Sequence, residues 1–543
     1  MLKLFLTYLF FVLFMSQASA FDMKFLRLYL NIDPAVRYIK GSATEIFTTD
    51  NSSLPLKIDL SDSLKVNFVL HGEDTVAFYR SENRLIILPD KKWSKTDSIT
   101  INYEGIPQNT GLGSVCFSSH NGIPVFWTLS EPFGAKDWFP CIQDISDKID
   151  SSFIIIKCPK KYRAVSNGNL FCETIQGKNR ITEWRHKYPC AYYLLAVAVT
   201  QYKEYSDYAV IGKDTVKIIN YVYPDRYEQA KKKTWRLAST FKMLCDSFGE
   251  YPFIKEKYSH AQFNWSGGME HQTVSFIADF DLDLMIHELA HQWFGNMITG
   301  KSWRDVFLHE GFATYCECLA AEKGLSNCSD DSQWRRATIL KACQLKKSSL
   351  NILDTLDIHK LFDSRNSYSK GAMILHQLRK ELGDVIFFNC IREYLKDSKL
   401  RYQNAEVEDF INIVRTVSGR NLDWFFAQWF YGSGYPVYEI KWQQESETVL
   451  NIRISQQTTD SLTPFFRSKI PLMVCGENGE KVFYRLNNHL PEQDFNIPLN
   501  FYVSTIIFDP YNDVLTKDPI VKKTQFIVNK KVKKKKKRQT QTS

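Results

Sequence analysis

Residues 287–296 read HELAHQWFGN, and this stretch decides how the rest of the chain is interpreted. His287 and His291 are four positions apart, so on an α-helix both imidazoles lie on one face and can bind a single Zn²⁺. Glu288 lies beside them as a candidate general base. The alternative is an ordinary amphipathic helix with two buried or solvated histidines, so a second signal is needed to favour a metal site.

That second signal is a carboxylate on the next predicted helix. A catalytic zinc generally has three protein ligands and one open position, and Glu310 in FLHEGFATYCECLAAEKG completes a His₂Glu set of the thermolysin type. A metzincin would need glycine and histidine at the third and sixth positions after His291, where this chain has Phe294 and Met297. The pattern therefore predicts one zinc ion per chain.

Composition and charge indicate a folded body with a basic tail. A chain of 543 residues, 44% hydrophobic and 14% aromatic, is expected to form two to four globular domains. The formal net charge is +9, but the run KKVKKKKKR at 530–538 supplies eight positive charges and Lys3 one more. The folded body is thus near neutral, which argues against nucleic-acid binding. The dense lysine run predicts disorder and leaves open a weak contact with anionic surfaces.

The first twenty residues, MLKLFLTYLFFVLFMSQASA, have the pattern of a secretory signal peptide. Lys3 precedes an apolar run from Leu4 to Met15, and Ala18-Ser19-Ala20 resembles a cleavage site. The alternative, an uncleaved anchor, would need about 20 apolar residues. No later segment is long and apolar enough to span a membrane. We expect an exported protein, periplasmic or extracellular, with no transmembrane segment in the mature chain.

The order of strand-like and helix-like segments predicts a multidomain α+β protein. An N-terminal antiparallel β domain is followed by an α/β catalytic domain, which its His₂Glu set makes thermolysin-like, and by a small β-sandwich. Helices are predicted to begin at about Tyr208 and to include a long one over 225–249. The predicted boundaries are 1–20 for the signal peptide, 21–207 for the β domain, 208–436 for the catalytic domain, 437–525 for the β-sandwich and 526–543 for the basic tail.

Several separated stretches resemble the aminopeptidase N family of gluzincin metallopeptidases. GGMEH at 267–271 is similar to the family's GxMEN element, and HELAHQWFGN is followed after eighteen residues by Glu310 in HEGFATY. SYSKGAMIL at 367–375, the TLSEP segment with its later PC, and the closing FFAQWFYGSGYP add to the likeness. The resemblance runs from Phe21 to the β-sandwich and is to a three-domain form without the C-terminal helical domain.

The resemblance implies a role for each matching residue. His287, His291 and Glu310 would bind zinc, Glu288 would be the general base, and Tyr368 would stabilise the oxyanion. Glu270 and Glu131 would hold the free α-amine of the substrate. The backbone around Gly267, Gly268 and Met269 would pair with the extended main chain of the peptide.

Three positions depart from the family pattern. His271 replaces the usual asparagine after Glu270, His309 stands where asparagine commonly precedes the third ligand, and Leu129 stands where glutamine is frequent. None of them belongs to the predicted metal set. They bring the shape and polarity of the substrate pocket into question.

The expected activity is that of a zinc-dependent aminopeptidase acting on peptides with a free N-terminus. Three rivals stay open. An endopeptidase with the same zinc chemistry would not need Glu131 and Glu270. A family member could also have epoxide-hydrolase activity, although no residue in the sequence requires it. A non-catalytic binding protein, retained at a surface by the lysine tail, is the non-enzyme alternative.

Overall fold

The computed structural model describes residues 21–89, 91–328 and 330–526. The predicted signal peptide at 1–20 and residues 527–543 of the predicted basic tail lie outside the described residues. The described chain divides into two compact units. The first unit contains the chain up to residue 328 together with Ile352–Phe362 and Phe388–Val417, and the second contains 330–351, Asp363–Phe387 and 418–526.

The first half of the first unit is built on an eight-stranded sheet. Its central strands, such as Phe21–Ile32, Ile39–Thr49 and Ser151–Pro159, alternate between more and less buried positions, because one face of the sheet is covered by the core. All neighbours are antiparallel except Phe21–Ile32 and Ser151–Pro159. In spatial order the strands are Asn169–Gln176, Asn179–His186, Ser151–Pro159, Phe21–Ile32, Ile39–Thr49, Thr96–Gly105, Leu64–His71 and Asp74–Thr75.

Smaller sheets complete this β-rich part. One has four strands, Arg163–Ser166, Val197–Thr200, Ile123–Thr128 and Val115–His120; one has three, Leu56–Asp59, Arg84–Ile87 and Phe78–Ser81; one pairs Lys148–Ile149 with Cys190–Ala191. Short 3₁₀ turns lie at Ala135–Asp137 and Tyr192–Leu194. One continuous apolar core joins these sheets and reaches Phe276 and Trp303 of the mixed α/β region that follows.

The α/β region of the first unit carries the predicted metal site. Its five-stranded sheet has the order Lys203–Ile211, Asp214–Val222, Tyr258–Gln262, Ser275–Ile277 and Gly268–Met269. Its helical segments are Pro224–Arg226, Tyr227–Thr234, Leu237–Phe248, Leu282–Ala290, Trp303–Asp305, Phe307–Gly311, Phe312–Glu322, Ile358–Leu361 and Val407–Ser418. Thr299–Gly300 pairs with Asn404–Ala405, and helix Asp384–Lys396 runs across the boundary between the units.

The second unit combines helices with two small sheets. The helices are Asp331–Ala342, Ser364–Lys370, Gly371–Leu382 and Asp423–Trp429. One sheet contains Glu492–Pro498, Val449–Thr458, Pro436–Ser446 and Ile520–Lys523, and the other contains Lys481–Asn488, Ser468–Gly476 and Val503–Phe508. Both sheets contribute to one apolar core, with Ile440 and Ile452 on one side and Leu472 and Val474 on the other. This arrangement is a β-sandwich.

The predicted α+β class is confirmed, whereas two details of the prediction are wrong. Helices do not begin at about 208, because Lys203–Ile211 and Asp214–Val222 form an antiparallel hairpin of the five-stranded sheet. The predicted helix over 225–249 is two helices, Tyr227–Thr234 and Leu237–Phe248, with a break at Trp235. The domain boundaries stay predictions, and the one placed between 207 and 208 falls inside a strand.

One buried carboxylate of the eight-stranded sheet should make stability depend on pH. Glu45 is fully buried, and neither carboxylate oxygen has a hydrogen-bond partner among the described residues. Burial, and then the charge of Asp147, raises the pKa of Glu45 from 4.5 to about 8. Because the pKa of Glu45 is higher in the folded state than in the unfolded state, its contribution to stability is fully present at a pH below the unfolded-state pKa. This contribution is lost as the pH rises through the folded-state pKa.

We therefore expect Glu45→Gln to unfold at a higher temperature than wild type at pH 8 and at nearly the same temperature at pH 4.5. The loss in wild type over this interval should be on the order of 4 kcal/mol. Differential scanning calorimetry at several pH values measures it. Glu73→Gln, which changes an exposed carboxylate, serves as the control. A Glu45→Gln profile parallel to wild type would show that the buried carboxyl is not the cause.

Candidate metal centre

The helix Leu282–Ala290, called here the ligand helix, presents two of the predicted zinc ligands. Its N-terminus is capped by Asp281, whose Oδ1 accepts hydrogen bonds from the backbone N–H groups of Asp283 at 3.0 Å and Leu284 at 3.2 Å. His287 and Glu288 lie in its last turn, and His291 is the C-terminal cap residue with helical backbone angles. All three side chains are buried. The helical spacing predicted from the sequence is therefore present.

The third predicted ligand, Glu310, lies in a π-helical turn, Phe307–Gly311, which continues into helix Phe312–Glu322. A π-helical turn adds a residue to the helical repeat, and such turns are frequent at functional sites. Here it brings the Glu310 carboxylate against the ligand helix, 3.2 Å from His287 Nε2 and 3.5 Å from His291 Nε2.

The three donor atoms fit one metal ion. His287 Nε2 lies 3.0 Å from His291 Nε2, so with Glu310 Oε2 the atoms form a triangle with sides of 3.0, 3.2 and 3.5 Å. The centre of this triangle is about 2 Å from each corner, which is the length of a zinc–nitrogen or zinc–oxygen bond. The donor set and its spacing therefore fit the predicted single Zn²⁺.

Hydrogen bonds on the far side of each imidazole orient the donor atoms. His291 Nδ1 donates to the carbonyl oxygen of Phe294 at 3.0 Å, and His287 Nδ1 lies 2.9 Å from Glu317 Oε1. A proton on Nδ1 leaves the Nε2 lone pair directed at the centre of the triangle. Glu317 was missed in the sequence, although it follows Glu310 by seven positions, two helical turns along the same face.

The charges around the triangle favour a cation at its centre. Burial alone would raise the pKa of Glu310. The positive charge of His291 and hydrogen bonds from both histidines together outweigh burial, so the pKa of Glu310 lies below its usual range. Burial lowers the pKa of His287, but hydrogen bonds to Glu310 and Glu317 raise it well above its usual range. The site thus binds either protons or a metal ion on these nitrogens.

Glu288, the predicted general base, lies close to the backbone of Gly268, where the sequence predicts substrate binding. Burial raises its pKa to about 8, against the opposing effect of His287 and His291. A Cβ atom added to Gly268 would lie 2.2 Å from Glu288 Oε1. Only glycine permits this approach, so the backbone at 268 lies against the carboxylate that would move the proton.

Glu131 and Glu270 form a pair of buried carboxylates next to the triangle. Their ligand oxygens and that of Glu310 all lie within 4.8 Å of one another. Oε1 of each has no hydrogen-bond partner among the described residues. Burial raises the pKa of Glu131 well above its usual range, and the charge of Glu270 adds to this. Burial likewise raises the pKa of Glu270, although His291 opposes the shift.

The predicted substrate backbone site lies at an edge of the five-stranded sheet. Gly268 and Met269 pair with Ile277 and Phe276 on one side, and no strand of the described chain pairs with their other side. We call Gly267, Gly268 and Met269 the substrate turn. Gly267 has φ +103°, which favours glycine. The free edge leaves backbone groups available to an extended peptide.

Two side chains that follow the ligand helix bind the backbone of Glu270, the residue directly after the substrate turn. The carbonyl oxygen of Glu270 accepts hydrogen bonds from Asn296 Nδ2 at 2.7 Å and from Gln292 Nε2 at 3.4 Å. Both residues belong to the HELAHQWFGN stretch but received no role from the sequence. They connect the metal site to the residue predicted to bind the substrate amine.

Tyr368 lies in a second π-helical turn, Ser364–Lys370, in the second unit. It is half-buried, and its neighbours fix the turn: Asn366 Nδ2 donates to the Ser349 carbonyl at 2.8 Å, and Lys370 Nζ donates to the Ser348 carbonyl at 2.5 Å. Its predicted role at the oxyanion stays a prediction.

Comparison with known proteins agrees with this geometry. Residues 23–194 match the model of the peptidase M1 N-terminal domain, and residues 266–429 match that of the peptidase family M1 domain, together more than half of the chain. The chain belongs to peptidase family M1. The predicted family is therefore confirmed.

The M1 chain is similar to several curated aminopeptidases. It is 24% identical over 422 residues to probable aminopeptidase 1 of Sulfurisphaera tokodaii, covering 73% of this chain and 51% of that protein. It is 27% identical over 378 residues to glutamyl aminopeptidase of Sus scrofa, covering 64% of this chain and 38% of that protein. The M1 chain thus spans about half or less of the length of these relatives.

A crystal structure of an M1 zinc metallopeptidase from Deinococcus radiodurans shares the fold, with a TM-score of 0.65 and 21% identity, over 76% of this chain and 93% of that one. A two-domain M1 zinc metallopeptidase mutant bound to L-tryptophan gives a TM-score of 0.67, over 76% of this chain and 94% of that one. In the part of the M1 chain that the structure describes, no helix is both long and apolar enough to cross a membrane.

Two of the three departures from the family pattern are neutral core side chains. His271 and His309 are buried, and burial lowers the pKa of each to about 3. His309 Nε2 accepts a hydrogen bond from the Gly300 backbone N–H at 2.6 Å, so it fastens the short strand Thr299–Gly300. Leu129 is fully buried in the apolar core.

The metal site predicts the behaviour of two variants. Wild type should contain about one Zn²⁺ per chain, and His291→Ala should lose it because two ligands leave the ion under-coordinated. Glu317→Gln should keep the ion with roughly 10–100-fold weaker affinity, because His287 loses the carboxylate that orients it. Elemental analysis and competition with a chelator measure both effects. Wild type that binds no zinc after incubation with Zn²⁺ would contradict the assignment.

Proposed function

We propose that this chain is a zinc-dependent aminopeptidase that hydrolyses the N-terminal peptide bond of peptides. The observation that carries the proposal is the buried pair Glu131 and Glu270 next to the His287, His291 and Glu310 triangle, with Oε1 of each carboxylate lacking a hydrogen-bond partner in the described part of the chain. Two buried carboxylates without a counter-charge are unfavourable, and a substrate ammonium supplies that charge. The curated relatives named aminopeptidase support the same activity.

The residues divide the work according to their positions. Zinc held by the triangle would supply a Lewis acid for the scissile carbonyl. Glu288, raised to a pKa of about 8 by burial, would accept a proton from the attacking water and pass it to the leaving amine. A pKa near the working pH suits a group that both accepts and releases a proton. Tyr368 is proposed as the hydrogen-bond donor to the oxyanion.

The substrate turn would fix the peptide relative to these groups. Main-chain pairing with the free edge at Gly268 and Met269 holds the peptide extended, and the amine at Glu131 and Glu270 sets which bond reaches Glu288. An N-acetylated peptide has no charge to offer the two carboxylates. The same geometry therefore selects for exopeptidase over endopeptidase action.

A further proposal concerns the location of the protein. The protein is proposed to be exported, to the periplasm or outside the cell, on the strength of the sequence pattern at 1–20.

The non-enzyme alternative, a binding protein of the same fold, would retain the donor triangle without turnover. Aminoacyl fluorogenic amides, assayed with and without chelator, separate an enzyme from a binding protein.

Replacing the general base should separate metal binding from catalysis. Glu288→Gln should retain about one zinc per chain and lose most activity, because an amide cannot accept the proton. Metal content and turnover of a leucyl fluorogenic amide are measured on the same preparation. Near-normal turnover in this variant would assign the proton transfer to another residue.

Replacing an amine-binding carboxylate should change specificity. Glu270→Ala should raise KM and lower kcat for peptides with a free N-terminus, because one contact both binds and aligns the substrate. Loss of one member of a buried charge pair costs about 2–5 kcal/mol, so kcat/KM should fall roughly 30-fold or more.

N-acetylated peptides should be nearly unaffected by Glu270→Ala, and Glu250→Ala, which removes an exposed glutamate of the same unit, should leave both substrates unaffected. Equal efficiency of wild type and Glu270→Ala on free and acetylated peptides would favour the endopeptidase alternative.

A further inference from the structure

A cavity of about 330 Å³ lies next to the substrate turn, within the first unit. Its lining includes His120, Tyr223, Arg226, Gln262, Trp265 and Asp279. We call it the distal pocket. We propose that it binds a carboxylate carried by the peptide two or three residues downstream of the scissile bond, through Arg226. This inference rests on the proposed function, because it assigns a second contact to the same substrate.

The order of groups along the turn gives the direction of the peptide. Glu270, at one end, belongs to the carboxylate pair that would hold the amine, and Gly268 lies against the general base Glu288. The scissile bond must therefore lie near Gly268. The part of the peptide that leaves after cleavage continues past Gly267, away from Glu270.

The distal pocket begins where this path continues. The ring of Trp265 lies 3.6 Å from the position of a Cβ on Gly267 and also lines the pocket. The Ala278 backbone N–H donates to the Gly267 carbonyl at 2.9 Å, and Ala278 is another lining residue. Trp265 precedes Gly268 by three positions, so at most about 10 Å of chain separates them. An extended peptide advances about 3.3 Å per residue, and two or three residues beyond Gly268 therefore bring it to the pocket.

The pocket walls are held in place before any ligand binds. Gln262 Oε1 accepts from the Tyr223 backbone N–H at 3.0 Å, and Gln262 Nε2 donates to the Ala278 carbonyl at 3.3 Å. The His120 ring stacks on Tyr223, with centroids 4.1 Å apart, and His120 Nε2 lies 2.9 Å from Asp225 Oδ1. A preformed wall lowers the entropy cost of binding.

Arg226 is the group that selects a carboxylate. Its side chain is about half exposed, with NH1 donating to Gln229 Oε1 at 3.2 Å and Nε 3.4 Å from Asp225 Oδ2. Asp225 approaches only Nε and Gln229 only NH1, so the NH2 group of Arg226 has no hydrogen-bond partner among the described residues. The acidic lining residue Asp279 is paired with Lys233 at 3.4 Å. A guanidinium offers five N–H donors in a fork that matches a carboxylate.

The carboxylate has two chemical sources, the C-terminus of a short peptide and an acidic side chain of a longer one. The probe set is therefore Leu-Ala-Ala-Ala with a free C-terminus, its C-terminal amide, and Leu-Ala-Ala-Glu amide. Each kcat/KM is divided by the value for leucyl aminocoumarin amide, which has no downstream residues, measured on the same variant.

Wild type should cleave the free acid about 5–10-fold more efficiently than the amide, and Arg226→Gln should bring this ratio close to one. A high value for the glutamate peptide as well would show that a side-chain carboxylate also binds. Arg37→Gln, which removes an exposed arginine elsewhere in the unit, should keep the wild-type ratio. An unchanged acid-to-amide ratio in Arg226→Gln, with normal cleavage of the aminocoumarin amide, would overturn the distal pocket and leave the proposed function intact.

Equilibrium binding keeps the proposal testable if turnover is absent. In the Glu288→Gln background, calorimetry should show the free acid binding about 5–10-fold more tightly than the amide, and adding Arg226→Gln should remove the difference. Equal binding of acid and amide in the Glu288→Gln protein would overturn the proposal. Failure of wild type to hydrolyse any unblocked substrate would instead overturn the proposed function.

Discussion

The electrostatic constraint at the centre of this protein is the burial of four carboxylates in one place. Glu131, Glu270, Glu288 and Glu310 are each nearly inaccessible to water. Glu310 lies directly against the imidazoles of His287 and His291, whereas for Glu270 and Glu288 burial outweighs the attraction of these imidazoles and raises the pKa. Burying uncompensated charge costs several kcal/mol per ion. Positive charge supplied from outside would therefore stabilise the site at two places, one at the triangle and one next to Glu131 and Glu270.

Such a site must be held open by groups that do not themselves neutralise it. The N-terminal β region contributes Lys148, whose Nζ donates to the carbonyls of Asn296 and Met297 at 3.0 and 3.1 Å. Asn296 in turn binds the Glu270 carbonyl. Burial lowers the pKa of Lys148 to about 7, so this lysine contributes hydrogen bonds more than fixed charge. The β region thus supplies Glu131 to the site and, through Lys148 and Asn296, positions the backbone of Glu270.

Local rules in the sequence predicted the three residues that the structure brings together in the triangle, but not their surroundings. His287 and His291 follow from helical spacing, which does not depend on tertiary structure. Glu317 lies beside His287 on a helix that a π-helical turn precedes, and no spacing rule indicates that turn. The hairpin 203–222 was misassigned although its two strands pair locally across Gly212 and Lys213; only its parallel pairing with Tyr258–Gln262 is distant in the chain. Glu131 was found through resemblance alone, since its carboxylate reaches Glu270 only in the folded structure.

The departures from the family pattern bear on where specificity originates. His271 could have placed a second positive charge beside Glu270 and competed with the substrate amine. It does not, because burial lowers the pKa of His271 to about 3 and its ring packs edge-on against Phe276, with centroids 4.4 Å apart. The imidazole of His271 is therefore neutral at any pH at which Glu131 and Glu270 can be ionised. In the proposed function, the negative charge that attracts the substrate amine comes from Glu131 and Glu270, and a neutral His271 does not offset it.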